Sequence, residues 1–240
     1  MRVLLTRPQA ASGETTKRLR ELGHQPILLP LMQAEHYLGP TLEGLQKSHA
    51  AIALTSAEAV RVLQALGPQL VAYLETPVFA VGDATASAAR AAGFEKVEAA
   101  GGTAASMIAL FGHRFRSITS QQPLLYIAGN PRTATFEAGL AELEIPFFTV
   151  EGYAMKPLHV DEPALSAALE NPPVDVVLLY SPATAKCFFS LPFTARGWNV
   201  LRRSRILCLS HNVARAVPAS LQTMVAVSER PDEDSLLALL

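Results

Sequence analysis

No stretch of this 240-residue chain approaches the roughly 18 consecutive apolar residues that a membrane-spanning helix needs. Met1-Arg2 runs straight into a predicted strand with no leader pattern, so the expected compartment is the cytoplasm. Neither sign of charge dominates: 20 Lys and Arg face 21 Asp and Glu for a net charge of −1, which predicts neither a nucleic-acid nor a membrane partner. The one basic cluster, Arg202-Arg203-Ser204-Arg205, stands just before a predicted strand and reads as a solvated loop. Cysteine is scarce. Cys187 and Cys208 lack CxxC spacing and read as packing residues of a reducing compartment. The six histidines, His24, His36, His49, His113, His159 and His211, include no i,i+4 pair and no HExxH, so no metal site is expected. Only His211 stands where a strand gives way to a helix, and there a capping or solvent-facing role is the simpler reading.

Several loops that announce a cofactor are also missing. No GxGxxG follows a strand and no GxxxxGK[ST] occurs, so neither dinucleotide nor nucleoside-triphosphate binding is supported and no cofactor is expected. A GxSxG elbow and the kinase motif set are absent too. Gly101-Gly102-Thr103 reads as a loop entering a helix from Ala104 to Phe111.

What the chain does contain is an echo of itself. Ala51-Ile52-Ala53-Leu54-Thr55-Ser56-Ala57 recurs as Val176-Val177-Leu178-Leu179-Tyr180-Ser181-Pro182, and Val78 to Ala86 recurs at nearly the same offset as Ile206 to Ala214. Val3-Leu4-Leu5 and Pro26-Ile27-Leu28-Leu29 are matched by Leu124-Leu125-Tyr126-Ile127 and Pro146 to Val150. Each half therefore reads strand, helix, strand, strand, helix, strand, helix, strand, helix. The period is far above the roughly 20–50 residues of solenoid repeats, so it marks a duplicated domain. Short, wholly apolar strands are those of parallel sheets covered on both faces. Helices at 14–22, 58–66 and 84–92 are each stopped by a glycine, Gly23, Gly67 or Gly93. The fold class is thus α/β: two doubly wound, flavodoxin- or Rossmann-like parallel-sheet lobes facing one cleft.

The candidate ligand surface lies where strands feed helices. Thr55 with Glu58 fits a capping box, and Ser181-Pro182 and Asn130-Pro131 place a capping residue before a proline at the first helical position. Helix N-termini carry about half a positive charge and outward N–H groups, so such an edge suits an anionic ligand, helped by Arg7 and Arg132.

These motifs together resemble the uroporphyrinogen-III synthase family: Leu5-Thr6-Arg7-Pro8, Leu29-Pro30, Leu54 to Val60, Val81-Gly82-Asp83-Ala84-Thr85-Ala86, Val150-Glu151-Gly152-Tyr153 and Tyr180-Ser181-Pro182-Ala183, in order along nearly the whole chain. The repeat alone would place one domain cut near Gln121. The resemblance implies interleaving instead, with 1–30 plus 158–240 as one lobe, 39–150 as the other, and two linker strands at 31–38 and 151–157. It also implies the activity: closure of the linear tetrapyrrole hydroxymethylbilane with inversion of ring D and loss of water. Tyr153 is the implied acid for the departing hydroxyl. The substrate carboxylates are expected on Arg7, Thr55, Ser56, Ala57, Thr85, Ala86, Arg132, Ser181, Pro182 and Ala183, with Pro182 contributing placement only, since it has no N–H. Ser210-His211-Asn212-Val213 departs from the family pattern, because Val213 stands where a hydroxyl is usual. A monomer is expected, in transient contact with the upstream enzyme that makes the bilane. Two other classes compete. A two-lobed sensor of small anions lacks an accompanying helix-turn-helix or acidic receiver cluster, and a two-lobed sugar transferase lacks a nucleotide site.

Overall fold

A computed structural model describes residues 1–114 and 118–240, with the side chains of 112–114 excepted. The side chain of His113 therefore lies outside the described residues. In chain order the elements begin with β1 (Arg2–Leu5), α1 (Gly13–Glu21), β2 (Gln25–Leu28), β3 (Met32–His36), α2 (Leu38–Gln46), β4 (Ala51–Leu54) and α3 (Ala57–Gln64). There follow β5 (Val78–Ala80), α4 (Asp83–Ala91), β6 (Val97–Ala99), α5 (Ala104–Arg114), β7 (Leu124–Asn130), α6 (Thr135–Glu142) and β8 (Phe147–Pro157). The chain closes with α7 (Glu162–Leu169), β9 (Val176–Leu179), α8 (Pro182–Phe189), α9 (Ala195–Leu201), β10 (Arg205–Cys208), α10 (His211–Ala214), β11 (Val225–Val227) and α11 (Glu233–Leu237). The order read from the repeat is present, and β3, α2, α7 and α9 are additional to it.

Two compact units result. Unit 1 is Met1–Gln33 with Lys156–Leu240, and unit 2 is Ala34–Met155. The chain passes from one to the other inside β3 and inside β8. Unit 1 carries the sheet β11-β10-β9-β1-β2, and β3-β8-β7-β4-β5-β6 is the sheet of unit 2. The pairings within the first sheet and from β8 through β6 in the second are parallel.

Alternation along fully buried strands sends successive side chains to opposite faces. In unit 2, Ile52, Leu54, Leu125 and Ile127 pack on Val60, Leu63 and Ala89 of α3 and α4. Ala51, Ala53, Leu124 and Tyr126 pack on Met107, Phe111, Phe136 and Leu140 of α5 and α6. In unit 1, Leu4, Val177 and Leu179 face α7 to α10, while Val3, Leu5, Val176 and Leu178 face Leu19 of α1 and Leu236 of α11. Each fully buried Leu or Val contributes about 1.5–3 kcal/mol, so the strands are held from both sides. Cys187 on α8 and Cys208 on β10 are free thiols, and burial pushes the Cys208 thiol up to about 12.

The helix ends decide where polar groups collect. Gly23, Gly67 and Gly93 all take positive φ, +76°, +60° and +100°, just past α1, α3 and α4. Ser181 caps α8 by accepting from the Thr184 amide, with Pro182 at the first position, as its sequence predicts. Two predicted caps are corrected. At α3 the cap is Ser56, whose hydroxyl accepts from the Glu58 amide at 3.1 Å. Thr55 precedes it and bonds elsewhere, and the Glu58 carboxylate faces His36 and Arg61. Asn130 is the last residue of β7 rather than a cap, because its amide donates to Glu151 and α6 does not begin until Thr135.

Candidate active site

In a doubly wound sheet, ligands bind outside the carboxyl ends of the strands where the strand order reverses. In unit 2 the chain runs from β4 outward through β5 and β6, then returns to place β7 on the other side of β4, so the reversal lies between β4 and β7. At that point is a cavity of about 320 Å³. Its wall includes Thr55 and Ser56 after β4, Tyr126 and Gly129 on β7, Arg132 in the following loop, Phe136 on α6 and Tyr153 on β8. Ligand cavities generally span about 300–1,000 Å³, so this one suits a single ring of a larger molecule.

Tyr153 reaches the cavity because β8 is bulged. Ala128 pairs with Glu151, but Gly129 pairs with Tyr153, leaving Gly152 as the extra residue. Strict alternation from Phe148 and Val150 would send Gly152 toward the α3 face and Tyr153 to the opposite one. With the bulge, Val150 and Tyr153 join the same core cluster. Glycine is needed on both strands. A Cβ on Gly152 would stand 2.7 Å from Cγ2 of Ile127, and one on Gly129 would stand 2.6 Å from the Tyr153 hydroxyl oxygen.

Burial raises the pKa of the Tyr153 phenol, with the Glu58 charge adding to the effect and a hydrogen bond with Ser56 partly offsetting it. The Tyr126 phenol is raised mainly by burial as well, and it shares a 3.0 Å hydrogen bond with the Thr55 hydroxyl. Both phenols are therefore protonated at neutral pH. Arg132 donates to both oxygens of Glu137, at 3.2 Å each, and lies 3.5 Å from Glu151. Thr149 completes the shell of Glu137 at 2.7 Å, and these donors hold its carboxyl below its ordinary range.

The structure thus gathers Thr55, Ser56, Arg132 and Tyr153 around one cavity, with Ala57 opening α3 beside them. Thr85 and Ala86 are buried in the first turn of α4 and are not among the lining residues. The Ala86 amide is already spent on the Gly82 carbonyl at 3.0 Å. Gly82 offers no capping side chain, which leaves the Thr85 amide among the unpaired donors of a helix start. Its counterpart Val213 differs: there Ser210 caps α10, and His211 is exposed.

Arg7, Ser181, Pro182 and Ala183 belong to unit 1. The reversal of that sheet lies between β1 and β9, and the residues just past these strands meet an internal carboxylate. Glu233 of α11 accepts from Arg7 at 2.7 Å, Thr15 at 2.5 Å and Tyr180 at 2.9 Å. The Arg7 guanidinium also lies 4.3 Å from the Tyr180 ring centre. Tyr126, Gly129 and Phe136 escaped the sequence reading as site residues. For Tyr126 a signal existed: a phenol inside a buried strand needs a hydrogen-bond partner.

Two doubly wound units built from one interleaved chain, one with a cavity lined by protonated phenols at its strand-order reversal, define a two-unit α/β protein of the doubly wound class. The family profile described as "HEM4: Uroporphyrinogen-III synthase HemD" matches residues 13–238, and the chain belongs to the uroporphyrinogen-III synthase family. Its activity is accordingly that of a cyclising hydro-lyase of tetrapyrrole biosynthesis, which closes hydroxymethylbilane with inversion of ring D. Solved structures share the fold. The uroporphyrinogen-III synthetase of Helicobacter pylori 26695 is 17% identical, with a TM-score of 0.65 over 99% of this chain and 96% of that one. A mutant uroporphyrinogen III synthase of the extremely thermophilic bacterium Thermus thermophilus is 19% identical, with a TM-score of 0.55 over 100% and 97%. A search of curated proteins finds no match.

Proposed function

We propose that the unit 2 cavity is where hydroxymethylbilane loses its terminal hydroxyl, and that Tyr153 supplies the proton. The observation that carries this reading is the bulge at Gly152, which turns a buried, protonated phenol onto the wall of the cavity at the strand-order reversal. The carbon–oxygen bond breaks with its electron pair on oxygen, and the Tyr153 proton converts the departing group to water. The electrophilic azafulvene is attacked through the substituted carbon of ring D, and the spiro intermediate fragments and recombines in the flipped sense. The carbon-bound proton lost at the end restores the phenol, so the cycle balances. Because the free bilane closes without inversion, holding its two ends in place is a large part of the catalysis.

For the substrate carboxylates we assign the first-turn amides and hydroxyls of α3 (Ser56, Ala57), the Thr85 amide, and the α8 start (Ser181, Ala183), which Pro182 positions. Helix starts favour anions at each of these places. We place the enzyme in the cytoplasm as a single chain supplied by the enzyme upstream. Two free thiols and a cavity built wholly within one unit support that reading. Among the described residues, no helix is long and apolar enough to cross a membrane.

Fresh hydroxymethylbilane is the test substrate, with the oxidised type I and type III isomers separated afterwards. The intact chain yields an excess of type III, and Tyr153→Phe lowers its turnover about tenfold or more. Undiminished type III formation by the folded variant would remove Tyr153 from the role.

A further inference from the structure

The second phenol of the cavity has no part in the scheme above, and its surroundings are unusually specific. Thr55 follows β4 in a position where its hydroxyl could have capped α3, yet Ser56 does the capping and Thr55 turns to Tyr126 at 3.0 Å. β4 and β7 are neighbours in register, Ala53 opposite Tyr126, so the bond ties the residue that follows β4 to the strand on the other side of the reversal. A pair of hydroxyls holds two hydrogens, and one bond between them uses one. When the Thr55 hydroxyl donates the shared bond, Tyr126 accepts and keeps its own hydrogen to donate, and a buried hydroxyl seeks a partner for it. The Tyr126 ring is fixed: it meets Phe136 edge-to-face at 4.9 Å, and Phe136 rests in turn on Phe111. A donor held this way needs no reorganisation when charge develops nearby.

Charge decides what the donor serves. Arg132, the cation of the wall, is committed to Glu137 and also faces Glu151. One positive and two negative groups leave this rim with no surplus of positive charge. A carboxylate arriving beside Tyr126 would meet like charge, whereas a neutral oxygen would not.

We propose that Tyr126, paired with Thr55, is a second catalytic residue: it donates a hydrogen bond to the same departing hydroxyl oxygen that Tyr153 protonates. Tyr126 keeps its proton throughout. The carbon–oxygen electron pair goes to the oxygen, Tyr153 delivers the proton, and the bond from Tyr126 lowers the basicity that the leaving oxygen must carry. This rests on the unit 2 cavity being the place where the hydroxyl leaves.

The test is steady-state kinetics on hydroxymethylbilane for Tyr126→Phe, Thr55→Val, Tyr153→Phe and the double variant Tyr126→Phe/Tyr153→Phe. Tyr126→Phe retains the ring on Phe136 and removes only the oxygen. Its kcat for type III formation falls about tenfold while KM stays within about twofold, the pattern of an interaction made in the transition state. Thr55→Val, which leaves the phenol unpaired, shifts kcat in the same direction and serves if Tyr126→Phe fails to fold. The double variant loses less than the product of the single losses, since both groups act on one oxygen. An unchanged kcat in folded Tyr126→Phe overturns the proposal, as does a loss confined to KM, which would make Tyr126 a carboxylate ligand. The reading of Tyr153 is separable: a slow Tyr153→Phe beside a fully active Tyr126→Phe sinks this proposal alone, and a fully active Tyr153→Phe sinks the acid assignment.

Discussion

Tyr153 carries the clearest residue-scale consequence. An unperturbed phenol titrates near 10, and burial moves Tyr153 above that value. The protonated form is the one that can donate, so the proposed role of Tyr153 predicts activity through neutral and mildly alkaline pH, lost only as pH rises past the raised value. In a pH profile of kcat/KM the alkaline limb should therefore lie above about pH 10, and Tyr153→Phe should remove the contribution of this phenol and leave only that of Tyr126. A limb below about pH 9 in the intact enzyme would assign the proton to another group. The residue itself was legible in the sequence, because Val150-Glu151-Gly152-Tyr153 carries the family resemblance. Tyr126 was hidden for a physical reason. Its neighbours Leu125 and Ile127 make it read as one more strand residue, and its partner Thr55 lies 71 positions away.

At the scale of elements, the β8 bulge is the feature that makes a site of the cavity wall. Gly152 is the inserted residue, and its carbonyl accepts from the Tyr37 amide at 2.7 Å. Gly152→Ala forces a methyl against the Cγ2 methyl of Ile127, an overpacking that should cost about 1–3 kcal/mol and displace Tyr153. Gly129→Ala meets the Tyr153 ring instead. We expect its activity to fall further than its stability, measured as kcat beside the urea midpoint of the same preparation. Wild-type turnover in Gly129→Ala would show that the phenol need not stand where β7 lets it. Regular strands and glycine-stopped helices were readable because period and termination are local properties. The bulge was not, since it exists only in the pairing of β8 with β7. The Thr55 cap failed for a similar reason: Thr55 and Ser56 are chemically equivalent as caps, and the choice is made by Tyr126 across the sheet.

On the scale of the whole molecule, duplication has produced two sheets of the same plan with unlike reversals. Unit 2 has a cavity there, while in unit 1 Glu233 ties α11 to the segments after β1 and β9 through Arg7 and Tyr180. Neutralising that carboxylate weakens a charge-assisted network worth about 1.5–3 kcal/mol per bond to a charged group. Partial solvent exposure of Arg7 and Glu233 places the loss toward the low end. Glu233→Gln should accordingly speed amide exchange in α11 and at Thr15, read by hydrogen-exchange mass spectrometry, and leave the amides of β4 and β7 unchanged. Uniform protection in the variant would mean that the network holds nothing in place. The sequence by itself determined the strand and helix order, the doubling of the α/β plan and the family, because these rest on local periodicity and on motifs in linear order. Only the tertiary structure decided that the unit 2 reversal holds a cavity and that Glu233 meets Arg7, Thr15 and Tyr180 in unit 1. That choice depends on contacts such as Arg7 with Glu233 and Thr55 with Tyr126, whose partners meet only when distant segments share a sheet edge.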